Sequence, residues 1–95
     1  MQISEVGFPK EFVKDITTRL KKVEGQTRGL RDMIMDDRDC EEIMQQLSAA
    51  TRALDRISAL LLTTGMEVCI SRQLSGEMDN GDALARIQKL FLHYR

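Results

Sequence analysis

Two thiols, Cys40 and Cys69, are the side chains with the most distinctive chemistry in this chain. Thiolates bind soft metals such as Cu(I), or they react, one being oxidised while the other resolves it. A zinc site needs four ligands, and no C-x-x-C or local His/Cys cluster supplies them. The single histidine, His93, falls near the C-terminus in the pattern of a surface helix and reads as a surface or packing residue rather than a ligand. Local charge leaves thiol reactivity open. A helix N-terminus at Cys40 favours the thiolate, whereas Asp36, Asp37, Asp39, Glu41 and Glu42 oppose it, and Cys69 has Glu67 and Arg72 nearby. No acid/base cluster accompanies the thiols, which argues against an enzyme.

The elements that position these thiols are helices. The chain has 95 residues, 42% of them apolar and 31% charged, with one Pro, no Trp and six Met. This composition fits one all-α domain spanning 1–95 and neither a strand protein nor a disordered chain. The longest unbroken apolar run, Ala59 to Leu62, is far too short for a membrane span. No basic patch followed by an apolar stretch opens the chain, so no signal peptide is expected and a cytoplasmic location is. In such a reducing compartment two cysteines are free core residues, metal ligands or redox groups rather than a permanent staple.

Residues 1–9 read as a polar arm ending in Gly7-Phe8-Pro9. From Lys10 the line Phe12, Ile16, Leu20, Val23, Thr27, Leu30, Ile34 has helical spacing and predicts a helix over about 10–35. Asp39 is placed to cap a second helix, over about 40–72, whose line reads Ile43, Leu47, Ala50, Leu54, Ile57, Leu61, Thr64, Val68. Ser75-Gly76 and Asn80-Gly81 punctuate a loop. Asp82 or Asn80 can cap a third helix, over about 82–93, through Leu84, Ile87, Leu90 and Phe91.

The two long helices expose more apolar seam than the short third one can cover. A three-helix subunit pairing into an antiparallel four-helix-bundle dimer satisfies them. The apolar line of the second helix mirrors itself about a point near residue 55, as an antiparallel two-fold requires. Cys40 and Cys69 share nearly that centre. Along one straight helix they lie roughly 43 Å apart yet differ in direction by only about 20°. A two-fold would therefore set Cys40 of one subunit beside Cys69 of the other.

The net charge of −1 hides an uneven distribution. Residues 10–31 carry seven Lys/Arg against three acids, whereas residues 32–42 carry six acids against Arg38. Lys10, Lys14, Lys21 and Arg28 fall within about 40° of one another on a helical wheel. Arg52 and Arg56 face away from the apolar line of the second helix. Such residues suit contacts to a phosphate backbone more than to base edges.

The stretch Arg19-Leu20-Lys21-Lys22-Val23-Glu24-Gly25-Gln26-Thr27-Arg28-Gly29-Leu30, followed by Cys40 and Cys69, closely resembles the CsoR/RcnR family of bacterial transcriptional repressors. The resemblance covers roughly residues 12–73. It implies an antiparallel dimer assembling as a dimer of dimers, a homotetramer, that binds operator DNA without a helix-turn-helix. It also implies relief by an inducer at an inter-subunit cysteine site. Arg19 and Arg56 match the basic positions tied to operator binding, and Gln26 lies within the family motif as a polar contact.

The copper branch has Cys, then His 25 positions later, then Cys four after that. Here Cys40 and Cys69 match the outer positions and Gly65 stands at the middle one. The chain thus resembles the persulfide-sensing, CstR-like branch, which keeps only the two cysteines. The expectation is a repressor that releases operator DNA when a persulfide or polysulfide modifies Cys40 and Cys69, with no resident cofactor. The alternative is a Cu(I)-responsive repressor using the same two thiolates.

Overall fold

The computed structural model describes residues 2–76 and 82–94, without the side chains of residues 82–84, 91 and 94. The described residues form four helices: α1 (Ile3–Val6), α2 (Lys10–Met35), α3 (Cys40–Leu74) and α4 (Asp82–Tyr94). They contain no strand, in keeping with the all-α expectation. Asn80 and Gly81, read above as part of a loop and a cap, lie outside the described residues.

The structure departs from three helices at the N-terminus, where α1 replaces the expected polar arm. Four residues are too few for periodicity to reveal, and a single turn does not stand alone in water. Two tertiary features support it. Val6 is buried, and the chain turns at Gly7, which closes α1 with φ 88° and ψ 32°. That left-handed conformation is open to glycine at little cost.

The junction between α2 and α3 is built from its own acidic residues. Asp37 adopts φ 56°, and the Arg38 amide donates to the Met33 carbonyl at 3.0 Å while that of Asp37 donates to Ile34 at 3.2 Å. These two bonds satisfy two of the carbonyls that the end of α2 would otherwise leave unpaired. Asp39 then caps α3, its Oδ2 accepting from the Glu42 amide at 3.3 Å. The Arg38 guanidinium pairs with the Glu42 carboxylate across the same turn.

The chain forms two compact units, residues 11–58 and residues 1–10 with 59–95. In the first, the buried residues are Ile16, Val23 and Leu30 of α2 with Ala50 and Ile57 of α3. Each set repeats every seven residues. Thr27 fills a step of the apolar line without an unpaired hydroxyl, because its Oγ1 donates to the Val23 carbonyl at 2.8 Å. The intervening apolar positions Leu20, Ile34, Leu47 and Leu54 remain exposed, Leu47 by 44% and Leu54 by 47%. In the second unit, Val6, Cys69 and Ile87 form a buried cluster, with Phe8, Leu62 and Met66 packed against it.

Candidate functional site

Unit 11–58 carries a polar groove between α2 and the first half of α3. Its α2 wall is Asp15, Thr18, Arg19, Lys22, Val23 and Gln26, which recur at three- and four-residue steps along one face. Its α3 wall comprises Ala49, Arg52, Ala53, Arg56 and Ile57. The small side chains of Ala49 and Ala53 leave room between the longer arginines. Arg52 and Arg56 point away from the apolar line on a wheel, yet they border the same groove as Ile57. Their length carries the guanidinium groups beyond the Cα positions that the wheel describes.

Four cations thus face one carboxylate, Asp15, which is engaged with Arg19 at 2.8 Å. The arrangement offers guanidinium and ammonium donors to an anionic ligand. The groove gathers Arg19, Gln26, Arg52 and Arg56 of the sequence-predicted DNA-binding residues. Lys10, Lys14, Lys21 and Arg28 are exposed but do not line it. Lys21 and Arg28 lie about 180–200° around α2 from Arg19.

Lys22 is a groove residue that the sequence reading missed. Its spacing was the available signal, three residues after Arg19 and four before Gln26. The wheel stripe through Lys21 drew attention to the opposite face instead.

The two cysteines lie in different units and in opposite surroundings. Cys40 opens α3 and is exposed. Cys69 is 1% exposed, inside the cluster formed with Val6 and Ile87. Burial pushes the Cys69 thiol above its ordinary range, while the nearby positive charge of Arg72 pulls it partly back. Gly65, one turn earlier on α3, is also buried. A Cβ added there would stand 3.5 Å from Phe8 Cζ and 3.6 Å from Ile87 Cδ1. The place of an imidazole in the copper pattern therefore borders the apolar cluster around Cys69.

Among the described residues, no three His, Cys, Asp or Glu side chains converge as a metal site. The described chain by itself thus offers soft thiol donors singly. His93 is exposed on α4. No helix of the described residues is long and apolar enough to cross a membrane.

A family model described as a metal-sensitive transcriptional repressor matches residues 13–93. The chain is similar to the copper-sensing transcriptional repressor CsoR of Bacillus subtilis (strain 168), 33% identical over 76 residues, 80% of this chain and 74% of that protein. It is also similar to the copper-sensing transcriptional repressor RicR of Mycobacterium tuberculosis (strain ATCC 25618 / H37Rv), 39% identical over 57 residues, 60% of this chain and 59% of that one. Among solved structures, the nickel-responsive transcriptional regulator InrS aligns with a TM-score of 0.78 and 28% identity, over 94% of this chain and 99% of that chain. The copper-sensing repressor CsoR with Cu(I) from Geobacillus thermodenitrificans NG80-2 aligns with a TM-score of 0.77 and 28% identity, over 92% and 90%.

Proposed function

We propose, from the premise that the chain belongs to the metal-sensitive transcriptional repressor family, that it binds operator DNA and releases it when Cu(I) engages Cys40 and Cys69. The observation that carries DNA binding is the groove of Arg19, Lys22, Gln26, Arg52 and Arg56, a dense set of cations on one face of a chain with net charge −1. Phosphate contacts from these side chains position the protein, and binding weakens with salt as counterions are released.

The copper-sensing relatives support Cu(I) over the reactive-sulfur inducer favoured by the bare sequence. Thiolates suit Cu(I) as soft ligands, and Cys40 and Cys69 are the chain's two thiols. Cu(I) supplies a bridge between thiolates that share no compact unit within one chain. The proposed geometry joins Cys69 of one subunit to Cys40 of the partner subunit, in an antiparallel dimer that assembles further to a tetramer. The exposed positions Leu47 and Leu54 support that dimer, because they alternate with the buried Ala50 and Ile57 and leave those steps of the seam uncovered. Inducer binding lowers DNA affinity by favouring an arrangement of the subunits that the operator does not.

A second reading rests on Gly65, which supplies no imidazole. A hydropersulfide donor transfers its sulfane sulfur to one thiolate and leaves as a thiolate. The thiolate of the partner subunit then attacks the persulfidated Sγ, an inter-subunit disulfide forms and hydrosulfide departs. The two protein thiols lose two electrons, and the transferred sulfur gains them.

One experiment separates these readings. Genomic DNA fragments from the source organism are selected on the protein, and the retained sequence is followed by fluorescence anisotropy. Cu(I) should release it, and Cys40→Ser or Cys69→Ser should abolish that release. Release by polysulfide with a covalent dimer on a non-reducing gel, and indifference to Cu(I), selects the second reading. Retention of no specific fragment removes both.

A further inference from the structure

Cys69 is the most deeply buried side chain of the described core, although Ile70 beside it is 42% exposed. Part of what covers the thiol comes from outside α3, and part from Leu62 and Met66 of α3 itself. Val6 of α1 and Ile87 of α4 complete its buried cluster, and Phe8 packs on the outside. Val6 and Phe8 belong to the stretch 3–8.

That stretch is a single helical turn followed by a reversal. A four-residue helix supplies almost no stability of its own. One attachment is Arg72, one turn after Cys69 on the same helix. Arg72 Nη1 donates to the Val6 carbonyl at 3.0 Å and to the Glu5 carbonyl at 3.2 Å. These carbonyls end α1 and have no partner within it. Gly7 then reverses the chain through its left-handed φ, bringing Phe8 back against Gly65. The guanidinium passes so near this turn that a Cβ on Gly7 would stand 2.9 Å from Arg72 Nη1.

We infer that residues 3–8 are a strap closed over Cys69 and latched by Arg72, so that reagents and inducers reach the thiol only when the strap lifts. A single-turn segment anchored through Val6, Phe8 and the Arg72 latch belongs to the part of a fold that opens first. Its opening does not require α3 to unfold. Any inducer, a metal ion or a sulfur donor, must reach Sγ of Cys69, so the strap sets the rate of response in both cases. The regulatory meaning rests on Cys69 being a sensing thiol; the closure itself does not.

The test needs neither DNA nor inducer. The full chain is alkylated with iodoacetamide under reducing conditions, and each cysteine is followed by peptide mass spectrometry, with Cys40 as the internal standard. In the parent protein Cys69 should react at least about tenfold more slowly than Cys40. Arg72→Gln and Gly7→Ala should each accelerate Cys69 by about tenfold and leave Cys40 within about twofold, with the circular dichroism of α2 and α3 retained.

The sign for Arg72→Gln is diagnostic. Loss of that positive charge disfavours the thiolate and by itself slows alkylation, so a faster reaction comes from access. Gly7→Ala keeps every charge and disturbs the latch from the opposite side; it carries the test alone if Arg72→Gln loses helicity. Unchanged Cys69 rates in folded variants overturn the strap, as does a parent Cys69 that reacts as fast as Cys40. Faster alkylation in the variants, together with operator binding indifferent to both Cu(I) and polysulfide, keeps the strap and removes the proposed sensing function.

Discussion

Arg19 and Asp15 lie one turn apart on α2, with Arg19 Nε donating to Asp15 Oδ2 at 2.8 Å. Asp15 is exposed and Arg19 partly so, and the pair contributes only about 0.2–1 kcal/mol to stability. A phosphate can displace the carboxylate at small cost. Asp15→Asn should therefore tighten DNA binding, whereas Arg19→Ala should weaken it and lower the salt slope by about one unit. Lys22→Ala and Arg52→Ala should behave like Arg19→Ala, and Lys21→Ala should have less effect. Anisotropy titrations at several salt concentrations measure all of these. Greater losses at Lys10, Lys14, Lys21 and Arg28 than in the groove would move the DNA to the other face of α2.

The exposed line through Leu47 and Leu54 predicts the behaviour of the assembly. Leu54→Asp should abolish association at micromolar concentration and leave the chain largely unfolded, because pairing would bury an unpaired charge at a cost of several kcal/mol. Sedimentation and circular dichroism report the two effects. A fully helical, monomeric parent protein would remove the dimer.

Position 65 separates a methyl group from an imidazole. In Gly65→Ala the new Cβ meets Phe8 and Ile87 at ordinary contact distances and the helix loses an interior glycine, so stability should rise by up to about 1 kcal/mol. In Gly65→His the ring continues beyond that Cβ into the space of Phe8 and Ile87 and should cost stability relative to Ala. Thermal melts of the three proteins give the order. A histidine variant as stable as the alanine one would show that the apolar cluster makes room.

Burial raises the Cys69 thiol, so the folded protein holds that proton more tightly than the unfolded chain. This stabilisation is intact below the ordinary thiol range and is lost as pH rises through the elevated folded value. Unfolding free energy should therefore decline at alkaline pH, and Cys69→Ser should flatten the decline. The alkylation rate of Cys69 should rise along a curve displaced to higher pH, and Arg72→Gln should displace the proton equilibrium further upward. Urea titrations and pH-resolved labelling check the two parts.

The all-α class and the family were legible in the sequence because both depend on long, repeated signals. Seven-residue spacing records helix packing, and the run from Arg19 to Leu30 is a contiguous motif. Shorter and tertiary features were not. Nothing in Ile3-Ser4-Glu5-Val6 announces a helix, since its support comes from Arg72, sixty-six residues beyond Val6. The wheel distinguished the faces of α2 but could not say which would border α3. It therefore favoured the stripe through Lys21 and passed over Lys22. Cys69 was placed on a face by its number alone; its burial depends also on Val6 and Phe8, before α2, and Ile87 of α4, which no local spacing reveals.

The five buried residues of unit 11–58 make a thin interior for a segment of two long helices. In the proposed dimer most of the stabilising surface comes from another copy, so folding and association become a single equilibrium, governed by mass action. The amount of protein in the cell is then itself a regulatory variable. Below a threshold abundance the chains are unpaired and exposed to degradation, and the promoter is unoccupied even when inducer is absent. A regulator of this design has a minimum dose, and a gene that represses its own synthesis would hold it near that floor.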